Sequence, residues 1–131
     1  MVPIDVSCAV IIGGDKVLMT QRSEQMDHPL QWEFPGGKCM SDESYNDCLR
    51  REIFEELGVF VDVLIGLPSV EQIYPDKHIR LFPFICKPTG EEISLSEHRK
   101  FAWFRFDELE RVDILPADAK IISYLSMTGY L

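Results

Sequence analysis

The segment from Ser44 to Gly58 constrains this chain most strongly, because the sequence marks both ends of a helix there. Ser44 is a favourable N-cap residue, and Asp47 three residues later completes a pattern similar to a capping box. Gly58 is typical of the residue that follows a helix, since glycine adopts the left-handed conformation without strain. The predicted apolar face consists of Leu49, Ile53, Phe54 and Leu57.

Three glutamates share one side of this predicted helix. Glu52 and Glu56 are four residues apart and therefore stack, and Glu55 lies beside them. Their mutual repulsion costs free energy that core packing does not require. Glutamate is also common on solvated helices, so the acids alone do not establish a site. In the functional interpretation they bind Mg²⁺, which prefers carboxylate oxygens and keeps waters that substrate phosphates can replace.

The acidic composition limits the possible partners. The 131-residue chain has a formal net charge of −9, which argues against nonspecific binding to nucleic acid polymers or anionic membranes. It would also repel a polyphosphate, unless a bound cation reverses the local charge. No segment resembles a signal peptide or approaches the ~20 apolar residues of a membrane span. We expect one cytoplasmic domain, residues 1–131, with free thiols at Cys8, Cys39, Cys48 and Cys86.

Turn signals divide the rest of the chain into short elements. Residues 4–12 and 16–22 predict a hairpin, and residues 31–34 predict a short strand stopped by Pro35-Gly36-Gly37. Pro83 lies within a predicted strand, so we expect that strand at a sheet edge or bulged. Strands around a central helix predict an α+β or layered α/β/α fold. The further predicted elements are strands in 59–74, 78–87 and 100–106, a helical turn at 107–111, and a helix from Pro116 to Leu125.

The stretch around the first helix resembles the Nudix box, G-x5-E-x7-R-E-U-x-E-E-x-G-U, where U is a bulky aliphatic residue. Every fixed position matches, and these positions are Gly37, Glu43, Arg51, Glu52, Ile53, Glu55, Glu56, Gly58 and Val59. Residues 31–38, 74–78 and 115–118 are similar to MutT-type members and to CTP pyrophosphohydrolases. The resemblance implies the Nudix fold, an α/β/α sandwich with a mixed β-sheet between helices. It also implies Mg²⁺-dependent hydrolysis of a nucleoside triphosphate to the monophosphate and pyrophosphate, with Mn²⁺ as an alternative ion.

The same resemblance implies roles in catalysis and metal binding. Glu52 or Glu97 would accept a proton from the attacking water, and both alternatives stay open. Arg51 belongs with the catalytic residues because it can pair with Glu55 at i,i+4 and orient it. The implied metal ligands are Glu52, Glu55, Glu56, Glu97 and the carbonyl of Gly36, with Glu56 and Glu52 as the most direct.

The substrate pocket is expected to combine basic, aromatic and acidic residues. Arg22 and Lys38 would lie near the phosphates. Asp118 stands where CTP pyrophosphohydrolase-like members have aspartate and some oxidised-guanine enzymes have asparagine; its carboxylate suits the cytosine amine, and also a guanine amine. The aromatic candidates for stacking on the base are Phe34, Trp32 and Phe84. For His28, His78 and His98 we expect turn or surface positions.

The leading hypothesis is a pyrophosphohydrolase acting on (d)CTP-type pyrimidine nucleotides or on 8-oxo-dGTP. One alternative is a Nudix hydrolase of another nucleoside diphosphate derivative, such as a nucleotide sugar. Another is a non-catalytic nucleotide-sensing domain, which we would expect to have lost acids of the box. A purely structural role leaves the acids unexplained. The sequence does not decide between a monomer and a homodimer.

Overall fold

The computed structural model describes residues 2–130 as a mixed β-sheet with two α-helices. The predicted hairpin is confirmed by the antiparallel pairing of Ile12 with Val17. The elements are β1 (Ile4–Gly13), β2 (Lys16–Gln21), β3 (Trp32–Glu33), β4 (Gly36–Lys38), α1 (Tyr45–Leu57), β5 (Val61–Gly66), β6 (Val70–Tyr74), β7 (Lys77–Pro88), β8 (Lys100–Arg105), a 3₁₀ helix (Phe106–Arg111) and α2 (Pro116–Thr128).

The sheet lies between the two α-helices. Its main strand order is β3-β2-β1-β7-β5, while β4 pairs with β1, β6 with β7 and β8 with β2. Strands β1 and β7 are parallel, and the other pairs of strands are antiparallel. Alternate residues of β1 enter two cores: Val10 packs with α2 residues such as Ile121, and Ile11 packs with α1 residues such as Ile53. The predicted layered fold with a mixed sheet is therefore confirmed.

The ends of α1 lie where the sequence predicts them. The Ser44 hydroxyl accepts a hydrogen bond from the backbone N–H of Asp47 at 3.1 Å, and Gly58 has a φ of 70°. Phe54 was wrongly assigned to the apolar face, because it is 49% exposed and its ring stacks on Phe60 at 4.9 Å. Successive helix residues are turned by about 100°, so Phe54 cannot follow its buried neighbour Ile53 into the core.

Pro83 was wrongly expected to mark an edge strand or a bulge, because its pairing with β1 continues without a break and the irregularity of the sheet lies at Val63 to Ile65 of β5. Strand β7 lies inside the sheet, with β1 on one side and β6 followed by β5 on the other. Pro83 occupies the point where the partner changes, after Leu81 pairs with β6 and before Phe84 pairs with β5. Its carbonyl accepts a hydrogen bond from the N–H of Leu67 at 2.9 Å. The backbone nitrogen of Pro83 points to the same side, between the residues that pair with β6 and those that pair with β5. Proline therefore removes no hydrogen bond of the sheet there.

Gly36 and Gly37 also differ from the expectation, because they form β4 instead of only stopping a strand. Gly36 pairs with Cys8 and Gly37 with Ser7 of β1. A Cβ on Gly36 would overlap the carbonyl oxygen of Ser7. Glycine therefore allows the extra strand by close backbone approach.

Two further expectations concern the thiols and the membrane. All four cysteines are free, as predicted. Within residues 2–130, neither α-helix has the length and apolar character needed to cross a membrane.

Candidate active site

A cleft of about 420 Å³ opens on the α2 side of the sheet. Its apolar wall includes Cys8, Phe34, Leu81 and Ala117, all of which belong to the core on that side. Its size suits a nucleotide-sized ligand. The cleft brings together six of the predicted site residues, namely Arg22, Phe34, Gly36, Lys38, Glu97 and Asp118.

The acids of α1 do not line the cleft themselves, but the register of β4 places Glu56 against Gly36, which does. Ala9 donates to the carbonyl of Pro35 at 2.8 Å, and Cys39 donates to that of Asp5 at 2.9 Å, so odd-numbered residues of this segment bond with β1. Both backbone polar groups of Gly36 consequently point away from β1. Its N–H donates to Oε2 of Glu56 at 3.2 Å. Its carbonyl has the orientation expected of a backbone metal ligand.

The absence of a side chain at Gly37 leaves room for the carboxylate of Glu52. A Cβ at position 37 would overlap Oε2 and Cδ of that side chain. Burial raises the pKa of Glu52, while the neighbouring Arg51 opposes the shift. The glycine at this position therefore makes room for the protein's own acid.

Arg51 holds the acids together. It donates to Oε1 of Glu52 at 2.8 Å and to Oε2 of Glu55 at 3.1 Å, which confirms the predicted i,i+4 pair. It also donates to both carboxylate oxygens of Glu43 and to the carbonyl of Lys38. These hydrogen bonds lower the pKa of Glu43 to about 2. Since its donors are used on protein acceptors, Arg51 is a positioning residue for the carboxylates.

His98 is a site residue that the sequence analysis missed. Its ring lies between two carboxylates, with Nε2 2.7 Å from Oε2 of Glu33 and Nδ1 2.9 Å from Oε1 of Glu56. Residues 96–99 form a bend, as expected of a turn position, but the side chain of His98 is only 10% exposed, so the expected surface position is wrong. Burial alone would lower its pKa, but the two carboxylates outweigh burial and raise it to about 9. The sequence did offer one signal, since His98 directly follows Glu97, which was itself a predicted site residue.

Glu33 connects this cluster to the basic side of the cleft. The oxygen that faces His98 also accepts a hydrogen bond from Arg22 at 2.9 Å. Arg22 therefore lies in the cleft, as predicted, but it is already paired with a carboxylate. Glu97 lines the cleft, and within residues 2–130 its side chain makes no hydrogen bond or ion pair.

Asp118 lines the cleft and is only 4% exposed. Its Oδ2 accepts a hydrogen bond from the backbone N–H of Phe34 at 2.9 Å. Burial, and then the charge of Glu33, raise the pKa of Asp118 well above its usual range. A neutral carboxyl group at this position has both a donor and an acceptor.

The aromatic candidates do not act together. Phe34 lines the cleft but is 3% exposed, with its ring packed in the core. Trp32 lies outside the lining and packs edge-on against Phe104 at 5.0 Å. Phe84 packs against the core on the α1 side, so its expected contact with the base is wrong. Neighbouring residues of a strand point to opposite faces, and Phe84 faces away from the cleft.

The donor set fits a hard divalent cation. As arranged, no three His, Cys, Asp or Glu side chains within residues 2–130 converge closely enough to enclose a metal ion. Oε1 of Glu56 is buried and accepts no hydrogen bond within residues 2–130, and Nδ1 of His98 lies 2.9 Å from it. A buried carboxylate oxygen without a hydrogen bond is suited to a cation. Glu52, Glu55, Glu56 and the Gly36 carbonyl would hold it.

Comparison with known proteins shows similarity along nearly the whole chain. The family model described as NUDIX domain matches residues 1–125. The chain is 31% identical to the CTP pyrophosphohydrolase of Escherichia coli (strain K12), over 91% of this chain and 88% of that protein. It is 35% identical to the 8-oxo-dGTP diphosphatase of Buchnera aphidicola subsp. Acyrthosiphon pisum (strain APS), over 76% and 81% respectively.

A solved structure agrees with this similarity. The solution NMR structure of the DNA mismatch repair protein MutT (family Nudix hydrolase) from methicillin-resistant Staphylococcus aureus 252 superimposes with a TM-score of 0.78. The two chains are 35% identical, and the match covers 98% of each.

Proposed function

Because the chain belongs to the Nudix family of hydrolases, we propose that it hydrolyses nucleoside triphosphates to the monophosphate and pyrophosphate with Mg²⁺. The proposed substrates are (d)CTP-type pyrimidine nucleotides or 8-oxo-dGTP. The observation that carries this proposal is the buried carboxyl group of Asp118 in a cleft that is also lined by Gly36, whose N–H donates to Glu56 of α1.

The raised pKa of Asp118 favours a base that presents a donor beside an acceptor. Cytosine has its amine next to ring nitrogen N3, and 8-oxoguanine has N7–H next to O6. Undamaged guanine presents two acceptors, N7 and O6, on the edge where 8-oxoguanine has N7–H, but its Watson–Crick edge has N1–H beside O6, so dGTP also belongs in the test panel. Adenine also offers a donor beside an acceptor, so ATP belongs in the test panel.

The cleft is also lined by basic side chains, which suit the triphosphate. Arg22 and Lys77 are paired with Glu33 and Asp27, whereas the Lys38 ammonium has no ion pair within residues 2–130. Lys38 is therefore the basic side chain most available to phosphate oxygens. When bound, Mg²⁺ supplies positive charge that offsets the phosphates and stabilises the pyrophosphate leaving group.

Two carboxylates are candidates for accepting the proton of the attacking water. Glu97 faces the cleft, and Glu52 lies against Gly37 with one oxygen hydrogen-bonded to Arg51. Glu52 is already hydrogen-bonded to Arg51, whereas the side chain of Glu97 makes no such bond within residues 2–130. This difference favours Glu97 as the base, because a general base needs a free oxygen within reach of the water.

The test is the release of pyrophosphate and of phosphate from CTP, dCTP, 5-substituted dCTP, ATP, dGTP and 8-oxo-dGTP with Mg²⁺. Glu56→Gln removes an expected metal ligand, and Glu110→Gln changes an exposed glutamate outside the cleft as the matched control. We expect pyrophosphate from the wild type and from Glu110→Gln, and little from Glu56→Gln.

The ranking of substrates then identifies the base. Preference for cytosine nucleotides or for 8-oxo-dGTP supports the proposed substrates, and preference for dGTP or ATP contradicts them. If no triphosphate is hydrolysed, the substrate proposal fails. A Nudix hydrolase of another nucleoside diphosphate derivative, or a non-catalytic sensor, would then be the better hypothesis.

A further inference from the structure

The thiols of Cys39 and Cys48 lie together where the end of β4 meets α1. Sγ of Cys39 lies 3.3 Å from Oγ of Ser7, within hydrogen-bond distance. Sγ of Cys48 donates a hydrogen bond to the carbonyl of Gly37 at 3.6 Å. Ser7 and Gly37 are opposite each other on the paired strands β1 and β4, so both sulfurs lie at the same place on the sheet.

Both thiols also lie on the side of the sheet that faces α1. A Cβ on Gly37 would meet Glu52 of α1, and Cys39 points to the same face because alternate residues of an extended chain share a face. Cys48 belongs to α1 and is fully buried. Burial, and then the neighbouring Cys39 thiol, raise the pKa of Cys48 to about 12. The two thiols are therefore direct neighbours.

The other two cysteines do not form a comparable pair. Cys8 packs in the core on the α2 side of the sheet and Cys86 in the core on the α1 side, so the sheet separates them. Cys8, Cys48 and Cys86 are buried, and of the four cysteines, all within residues 2–130, only Cys39 is partly exposed. An oxidant in solution therefore reaches Cys39 first, because exposure controls the oxidation of thiols.

We propose that Cys39 and Cys48 form an oxidative modification site, at which a peroxide converts the two thiols into a disulfide that lowers hydrolysis. With hydrogen peroxide, the Cys39 sulfur breaks the O–O bond and becomes a sulfenic acid, and one water leaves. The Cys48 sulfur then attacks the Cys39 sulfur, and the sulfenic oxygen leaves as a second water with the Cys48 proton. The two thiols lose two electrons, which the peroxide accepts. A dithiol reductant returns two electrons and restores both thiols.

The disulfide joins the two elements that carry the proposed metal ligands. The Gly36 carbonyl belongs to β4 and the Glu52 carboxylate to α1. An S–S bond is about 2.05 Å long, much shorter than a contact between unbonded sulfurs, so oxidation draws the two elements together. It also removes the S–H group that Cys48 donates to Gly37. A displacement of about 1 Å can cost on the order of 100-fold in rate. This effect on hydrolysis rests on the proposed function, whereas formation of the disulfide does not.

Mass spectrometry of one tryptic peptide tests the disulfide directly. Trypsin cleaves after Lys38 and Arg50, so peptide 39–50 contains Cys39 and Cys48 and no other cysteine. The reduced protein is treated with a small excess of hydrogen peroxide for hours, because a thiol with a raised pKa reacts slowly. It is then unfolded in iodoacetamide and digested. We expect the peptide to lose two hydrogens, to take up no iodoacetamide, and to be alkylated at both positions after treatment with dithiothreitol.

Three variants connect the disulfide with hydrolysis. Cys39→Ala and Cys48→Ala each remove one partner, and Cys86→Ala is the matched control that keeps both. After oxidation, turnover by the wild type and by Cys86→Ala should fall by a factor on the order of ten or more, and dithiothreitol should restore it. Cys39→Ala should keep its turnover in peroxide. If the buried substitution Cys48→Ala does not fold, Cys39→Ala and the peptide mass still decide.

Other results would overturn the inference. Full alkylation of peptide 39–50 after peroxide treatment, or a gain of oxygen without a disulfide, contradicts the modification site. A disulfide that leaves turnover unchanged contradicts the effect on hydrolysis. If the reduced wild type hydrolyses no triphosphate, the proposed function fails, and the mass of the peptide alone then decides whether the modification site exists.

Discussion

The backbone of Gly37 and the carboxylate of Glu52 share a space that has no room for even a methyl group. A Cβ on Gly37 would overlap Oε2 and Cδ of Glu52. The glutamate belongs to α1 and the glycine to β4, so this contact fixes the distance between the helix and the strand that bears the Gly36 carbonyl. The spatial relation between two of the expected metal ligands thus depends on the absence of a side chain.

Gly37→Ala should reduce activity much more than it reduces stability. The added methyl group forces Glu52 out of its position, and misplacement of a catalytic group by about 1 Å can cost on the order of 100-fold in rate. Steady-state kinetics and thermal unfolding would measure the two effects. Gly66→Ala is the control, because its Cβ would make only ordinary contact with Phe84 at 3.4 Å. Wild-type turnover by Gly37→Ala would contradict the proposed placement of Glu52.

Arg51→Lys should lower metal affinity or activity by roughly 10- to 100-fold while the protein stays folded. The guanidinium bonds with Glu43, Glu52 and Glu55 at once, and a single ammonium group cannot reproduce that geometry. Mn²⁺ titration and kinetics would measure the loss. Arg50→Lys is the matched control on the same helix, because Arg50 bonds with Asn46 instead of the acids. Equal effects of the two substitutions would argue against a specific positioning role for Arg51.

Asp118→Asn should stabilise the protein at neutral pH and not at pH 4. Burial raises the folded-state pKa of Asp118 above its usual value of 3.8. The stability that this group contributes is therefore complete below that value and is lost as pH rises toward the folded-state pKa, because the unfolded chain releases its proton first. Asparagine cannot ionise, and it can still accept the hydrogen bond from Phe34.

The expected gain in melting temperature is a few degrees at pH 7.5, since about 1 kcal/mol corresponds to roughly 4 °C for a chain of this size. Melting curves in EDTA at both pH values would measure it. Asp76→Asn, at an exposed turn position, should leave the melting temperature nearly unchanged. A gain of equal size at pH 4 would show that ionisation of Asp118 is not the cause.

Glu97→Gln should lower kcat by roughly 10²- to 10⁴-fold, the usual range for loss of a general base. Its effect on Mn²⁺ affinity should be smaller than that of Glu52→Gln if it acts mainly on the water. Glu92→Gln, in the same connecting segment and exposed, is the control. If Glu97→Gln retains kcat and Glu52→Gln loses it, the base is Glu52.

Helix α1 was predictable because the interactions that define it are local in the sequence. Its caps, its apolar spacing and the ion pair of Arg51 with Glu55 depend on residues within a few positions of one another. The resemblance to the Nudix box added the identity of the acids and the family. The hairpin of β1 and β2 was also local, because the glycine-containing turn joins them directly.

The sequence by itself therefore determined the family, the layered fold and the acidic helix. Only the tertiary structure decided that His98 lies between Glu33 and Glu56 and that Pro83 sits inside the sheet. Glu33 and His98 are 65 residues apart, and their contact depends on how the tertiary fold brings β3 and the segment after β7 together. Such contacts arise from the burial of whole elements, and the spacing of residues along the chain does not predict them.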